Sequence, residues 1–370
     1  MERDVDKRLK ELLSKGIPVY SISRLDTINN CLYEAYRTYI LKDKGDNNIY
    51  AIMGGKIHDV LQGITENKNT EADLLPAMKS ELEDMEIMNL DFPKGRDGSE
   101  SIRKRWIADM THFCSTYKAP TGQLKAEEFI LYKSPNGNYL QGYIDLQRIR
   151  KDGSIDIYDY KTSSLYKGET LKEHARQLIV YALGKRQEGC VVRSASWIFL
   201  KYVEVRYVGK KTSKSKKLTE ISKVIERCNI GRELEDSVAS KLETSGIVDF
   251  DQQIILDEFK RTNSFDCIPE EVRSQYKVLP YVLSVELTDE NIEETEQYID
   301  STIDRWEALS GVELDYPSRN FTKVSKAGKE SPDIFYCTNL CGHFKKCPHI
   351  KEFMDIMETE KNSEERGLFD

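Results

Sequence analysis

Asp145, Asp159 and Lys161 are the side chains best placed by type and spacing to do chemistry. They occur as Gly142-Tyr143-Ile144-Asp145, a gap of thirteen residues, then Asp159-Tyr160-Lys161. Two carboxylates offer hard oxygen ligands to Mg2+ or Mn2+. An ammonium group beside them can orient and help activate an attacking water. Such a set suits metal-assisted hydrolysis of a phosphodiester.

The flanking residues must then be strands. Tyr139 to Arg148 and Ile155 to Lys161 are rich in Ile, Tyr and Leu, as strands are. Lys151-Asp152-Gly153-Ser154 between them reads as a hairpin turn, because Asp-Gly tolerates positive φ. Side chains two apart share a face, which sets Asp159 and Lys161 together, with Asp145 on the neighbouring strand.

Further residues extend this set. In Met53-Gly54-Gly55-Lys56-Ile57-His58, a helix is expected to begin near the glycines. Ile57, Val60, Leu61 and Ile64 form its apolar stripe, and His58 could add an imidazole ligand. Thr170-Leu171-Lys172-Glu173 has the form of a capping box. The helix it would start carries Gln177 and Tyr181 four apart on one face, with Gly184 as its expected stop.

Eight cysteines occur in 370 residues. Met1 to Lys10 is highly charged with no apolar run, so no signal peptide is expected, and a reducing, cytoplasmic setting disfavours disulfides. Cys337, Cys341 and Cys347 cluster as Cys-x3-Cys-x5-Cys and call for a fourth thiolate. Zinc could take four thiolates, or three with His343 or His349. Cys114, Cys190, Cys228 and Cys267 are scattered and read as packing residues.

In order and spread these residues resemble a RecB-like nuclease of the PD-(D/E)XK superfamily. The branch is the one with an iron–sulfur cluster, which includes the CRISPR-associated RecB-like exonucleases and the AddB-type nuclease domains. The resemblance falls on His58, Asp145, Asp159-Tyr160-Lys161 and Gln177-x3-Tyr181. It implies an α/β fold with a central mixed sheet flanked by helices, a helical N-terminal region and a C-terminal cysteine lobe. It implies that His58, Asp145, Asp159 and the Tyr160 carbonyl bind Mg2+ or Mn2+. Lys161 would then position the attacking water, and Gln177 and Tyr181 would support the site and the DNA strand. Cys31, Cys337, Cys341 and Cys347 would hold a [4Fe–4S] cluster, with structural Zn2+ as the alternative. Glu128, ahead of the strand Phe129 to Tyr132, is a supporting candidate. The chain departs from the usual pattern in having Asp159 where Glu is commoner, and x3 rather than x2 between its first two clustered cysteines.

Four regions are expected. These are a helical region over 1–120, the catalytic α/β core over 121–208 with a strand at Ala195 to Tyr202, a polar helical insertion over 209–275, and a closing segment over 276–370. The last would hold a strand at Leu279 to Leu287, a helix from Asp289 to about Leu309, and the cysteine lobe. The hydrophobic fraction of 39% supports a real core, and no run is long enough to cross a membrane. Net charge is −8, so phosphate contacts need a local basic track. Candidates are Arg103-Lys104-Arg105, Arg148-Ile149-Arg150-Lys151, and Lys210 to Lys217 with five lysines in eight residues. Glu71 to Asp91 and Asp289 to Asp300 read as solvated helical faces. No Gly-x4-Gly-Lys-Ser/Thr loop is present, so unwinding would need a helicase or recombination partner.

The reading is a metal-dependent deoxyribonuclease, an exonuclease favouring single-stranded DNA or free ends. Its setting would be recombination, repair, replication or foreign-DNA processing. The alternatives are a non-cutting DNA-binding or scaffolding subunit, and a zinc-stapled hydrolase acting on another substrate.

Overall fold

The computed structural model describes residues 6–95, 97–209 and 219–367, with side chains up to residue 359. The Lys210 to Lys217 run lies outside the described residues. The fold is mixed α/β, with a seven-stranded sheet and helices on both faces.

Two long strands organise the sheet. β3 (Tyr139–Ile149) pairs along one edge with β2 (Gln123–Lys133), antiparallel. Its other edge is shared. β1 (Val19–Tyr20) takes Tyr139 and Leu140 in parallel, and β4 (Ile155–Lys161) takes Leu146 to Ile149 antiparallel. β5 (Val192–Val208) runs parallel to β4 through Phe199. Its other edge pairs with β7 (Tyr276–Val285), antiparallel, from Ala195 to Phe199 and again from Val203 to Tyr207, and beyond β4 it pairs with β6 (Glu220–Glu226) from Tyr202 to Val208. The β3–β4 turn forms as its sequence requires. Gly153 has φ of +80°, and the Asp152 carboxylate accepts from Ser154 N at 3.0 Å.

Three apolar clusters follow from strand alternation. Ile155, Ile157, Trp197 and Phe199 face the helix Glu169–Gln187 through Leu178, Tyr181 and Ala182. Tyr160, Leu146 and Leu200 face the helices Ile49–Thr65, Leu74–Ile87 and Ser101–Thr116. Beyond these, Val203, Val205 and Tyr207 pack on the helices Ile230–Thr244 and Asp249–Thr262. The stretch 209–275 is therefore not wholly helical: β6 extends the sheet and supplies Ile225 to this third cluster.

Three boundaries differ from expectation. The helix carrying His58 starts at Ile49, five residues before Gly54, because Asn48 caps it by accepting from Ala51 N at 2.9 Å. The helix carrying Gln177 starts at Glu169 behind Gly168, whose φ is +57°. Thr170 and Glu173 therefore make no capping box, since Thr170 already lies inside the first turn. Gly184 does not stop that helix, which runs to Gln187. Gly184 is buried against Ile130, where a Cβ would meet a side-chain atom at 3.2 Å. The glycine past the helix end is Gly189, with φ of +85°.

The C-terminal region docks on the N-terminal one. β8 (Thr322–Val324) and β9 (Glu330–Pro332) form a hairpin before the helices Phe335–Asn339 and Pro348–Gly367. Asp46 N donates to Gly342 O at 2.8 Å, and Asn48 Nδ2 donates to Leu340 O at 3.1 Å. Arg319 Nη1 donates to Asn30 Oδ1 at 2.7 Å.

Candidate active site at the break between β3 and β4

On its β1/β4 edge, β3 has no strand partner between Leu140 and Leu146. Asp145 sits at the end of this gap. Its Oδ2 accepts from the Tyr160 backbone N–H at 2.8 Å, so the side chain supplies the ladder bond that the diverging strands cannot make. The same residue breaks the alternation of β3. Ile144 joins the cluster beneath the Gln177 helix, whereas Leu146 joins the cluster on the other face. Opposite the break, the β2–β3 register skips Glu127, whose φ is +53°. The register is the same on either side, so Glu127 and Asp145 stand opposite each other without a ladder pair.

Around Asp145 the other residues gather from both helical layers. His58 Nδ1 lies 3.4 Å from Asp145 Oδ2. Its ring stands edge-on to Tyr160, with centroids 6.0 Å apart. Gly54, one turn earlier, passes the end of β4, and a Cβ there would lie 3.4 Å from Thr162 Oγ1. Lys161 Nζ is 2.7 Å from Asp159 Oδ2 and donates to Gln177 Oε1 at 3.2 Å. Gln177 Nε2 donates to Tyr181 OH at 3.0 Å. Tyr181 fills the space over Gly142, where a Cβ would come within 2.5 Å of the ring.

Burial and charge decide the protonation states. Asp159 is 3% exposed. Burial raises its proton affinity, Asp145 adds to the rise, and Lys161 opposes it. For Lys161, burial would lower the affinity, but Asp159 prevails and the ammonium persists. Burial also works against a charged His58, and the Asp145 carboxylate more than offsets it. Asp159 Oδ2 is inaccessible and has no aligned hydrogen bond despite the nearby ammonium. A buried acid in that state gains from a cation. His58, Asp145 and Asp159 offer nitrogen and hard oxygen, donor types that Mg2+ or Mn2+ accepts, but their three ligand atoms do not all lie within 4.8 Å of one another.

Glu128 is placed elsewhere. Its carboxylate lies 3.3 Å from Lys125 Nζ and 3.7 Å from Lys185 Nζ. Glu127 is the acid near the site, close enough for its charge to act on Tyr181. Its positive φ has no signature in the sequence. Of the basic tracks, Arg103 pairs with Glu86 and Arg150 pairs with Asp156.

The four cysteines Cys31, Cys337, Cys341 and Cys347 line one small cavity together with Glu34, Arg319, Tyr336 and His343. All eight cysteines are free thiols. His349 instead packs against the Tyr33 ring at 4.7 Å. Burial raises the proton affinity of Cys31, and that of Cys337 to about 11. Left neutral, these thiols pack as small apolar groups, and a metal bound here would have to displace their protons.

Among the described residues, only Asp109, Glu226 and Cys228 bring three such ligand atoms within 4.8 Å of one another. Cys228 is thus less isolated than its spacing suggests. Here Cys228 N donates to Asp109 Oδ1 at 2.8 Å. The Lys201 ammonium, 3.8 Å from Asp109 and 3.9 Å from Glu226, supplies the counter-charge. No helix among the described residues is long and apolar enough to cross a membrane.

No curated protein matches the chain. Among solved structures, the one titled "Crystal structure of SSO0001" aligns over 86% of this chain and 94% of its own, at 12% sequence identity and a TM-score of 0.25. The family model described as the PD-(D/E)XK nuclease superfamily matches residues 19–314, which hold every strand of the main sheet and the Asp145–Asp159–Lys161 site, and the chain belongs to that superfamily.

Proposed function

We propose that this protein is a metal-dependent deoxyribonuclease of the RecB-like, iron–sulfur branch. On this reading it is an exonuclease on single-stranded DNA or free ends that serves recombination, repair, replication or foreign-DNA processing, alongside a helicase or recombination partner. The observation that carries the reading is the meeting of Asp145, Asp159 and Lys161 at the β3 break. His58, Asp145, Asp159 and the Tyr160 carbonyl would hold Mg2+ or Mn2+. When bound, the ion would neutralise charge on the scissile phosphate and acidify a water. Lys161, held by Gln177, orients that water and meets the charge that develops on the phosphoryl oxygens. Gln177 is in turn held by Tyr181, so the ammonium is fixed before substrate arrives.

The cysteine cavity supports a [4Fe–4S] cluster over a single zinc ion. Tetrahedral zinc would bring its thiolates to about 3.8 Å from one another. Among the described residues, no three of these sulfurs lie within 4.8 Å of one another. A cluster of four irons stands between its thiolates and spaces them more widely. Since hydrolysis moves no electrons, its role here is to clasp the two ends of the chain.

The test uses end-labelled single- and double-stranded DNA with Mg2+ or Mn2+. Wild-type protein should degrade it from an end. Asp145→Ala and Lys161→Ala should lose about 10²–10³-fold or more in rate while still binding DNA. Wild-type protein that binds DNA but cuts with neither ion would support the scaffolding reading instead. Cleavage by Lys161→Ala at the wild-type rate would remove Lys161 from the site.

A further inference from the structure

Across the sheet from Asp159 and Lys161 lies a cavity of about 500 Å³. Strand alternation puts it there: Tyr158, Tyr160, Ile198 and Leu200 point into it, away from the face that carries the acids. Phe113 and Val282 add to a wall that is mainly aromatic and aliphatic. Tyr160 belongs to both sides. Its N–H holds Asp145, and its ring lines the cavity.

Arg227 is out of character with that wall. It is 6% exposed. Its Nε donates to Leu200 O at 2.7 Å, and Nη1 reaches His112 Nδ1 and Thr116 Oγ1, both at 3.1 Å. A guanidinium can only donate, so His112 accepts at Nδ1 and is neutral. Its Nε2–H then goes to Asn263 O at 3.0 Å. Every partner of Arg227 is therefore uncharged. Among the described residues no carboxylate lies in ion-pair range of it, and its Nη2 makes no hydrogen bond. The nearby acid Asp109 is engaged by Cys228 N and Lys201. Asp266, on the cavity rim, is exposed and lies 3.7 Å from Arg273. Burial lowers the Arg227 pKa to about 10, which still leaves it charged at neutral pH. A buried cation without a counter-ion is expensive to keep. Arg148, exposed on β3, lines the same cavity.

We propose that this cavity binds a small organic anion with an apolar body, its carboxylate or similar head group paired with Arg227 and its body packed on Tyr158, Tyr160 and Ile198. Tyr158, Tyr160 and Ile198 give the body an apolar bed, but polar lining groups such as Lys118, Asn263 and Ser264 could also meet a nucleotide, so a nucleoside monophosphate is the competing ligand in the test. The site is independent of the nuclease assignment, since none of its charge chemistry involves Asp145, Asp159 or Lys161.

The test is calorimetric titration of the full chain at pH 7.5 with 2-naphthoate, octanoate, the neutral 2-naphthamide and thymidine 5′-monophosphate. The two carboxylate arms distinguish an aromatic from an aliphatic body. At least one carboxylate should bind, 2-naphthoate should exceed 2-naphthamide by about tenfold or more if the body is aromatic, and the nucleotide should be weaker than the better carboxylate. Arg227→Gln should lose that carboxylate's binding, and Arg227→Lys should keep part of it. Val282→Trp, a half-exposed lining position whose substitution cuts no buried hydrogen bond, should lose binding while melting at the wild-type temperature. It also serves if Arg227→Gln does not fold. The proposal is overturned if no carboxylate binds, if 2-naphthamide matches or exceeds both carboxylates, if the nucleotide binds best, or if Val282→Trp binds as wild type does.

Discussion

His58 and His112 are both histidines in partly buried surroundings, yet their neighbours give them opposite protonation. His58 faces Asp145, which holds its proton against burial. If it ligates the ion, His58→Ala should lower cleavage in Mg2+ and recover part of it at high Mn2+, which binds mixed nitrogen–oxygen sites more tightly. Unchanged metal dependence with a lowered melting temperature would make it a structural histidine. His112 faces Arg227, and burial together with that charge lowers its pKa from 6.5 to about 4. Its neutral form contributes stability above pH 6.5 that is lost as pH falls through about 4. His112→Gln should therefore lose less stability than wild type between pH 7 and pH 4.5, measured as the shift in urea midpoint. An equal acid shift in both proteins would show that His112 does not drive it. Spacing alone showed Asp145, Asp159 and Lys161 because they lie on two strands joined by a short turn. It could not show Glu127, which reaches the site region through one positive φ, or Arg227, whose neighbours come from distant helices.

The elements differ in how far local sequence decides them. The β3–β4 hairpin was legible because Asp-Gly and the alternating flanks agree, and β4 spans Ile155–Lys161 as expected. The strand expected at Leu279 to Leu287 forms at Tyr276–Val285, and the helix expected from Asp289 forms at Asp289–Glu307. Packing overrode the local signals elsewhere. β1 is two residues long and exists only because the edge of β3 is free beside it. Gly184 suggested a helix end, but its missing side chain serves close packing on Ile130. Gly142 serves the same kind of purpose, giving the Tyr181 ring its seat on β3. Gly142→Ala should displace that ring, break the Gln177–Tyr181 hydrogen bond and cost about 1–3 kcal/mol of stability. Cleavage should fall with it, because Lys161 loses its anchored partner. Thermal melting and the DNA assay read the two effects separately, and a variant unchanged in both would show that Tyr181 tolerates displacement.

At the scale of the molecule, the cysteine lobe brings together positions about 300 residues apart. Backbone and side-chain bonds such as Asp46–Gly342 and Asn30–Arg319 already stitch the lobe to the N-terminal region. Closing so long a loop through a cofactor adds stability that grows only slowly with loop length. Anaerobically purified protein should be brown and carry about four irons per chain. Cys31→Ser or Cys347→Ser should bleach it and lower its melting temperature, whereas Cys190→Ser should keep both. Colourless protein with one zinc per chain would replace the cluster but keep the clasp. Synthesis gives this arrangement an order in time. Every candidate residue of the cutting site, from His58 to Tyr181, leaves the ribosome before the first cysteine of the C-terminal lobe is made. At roughly 5–20 residues per second, the Cys31 thiol waits about 15–60 s for Cys347. A chain released before Cys337 would carry every candidate residue of the cutting site with no lobe to close over Cys31, so closure of the lobe marks a chain that has grown past Cys347.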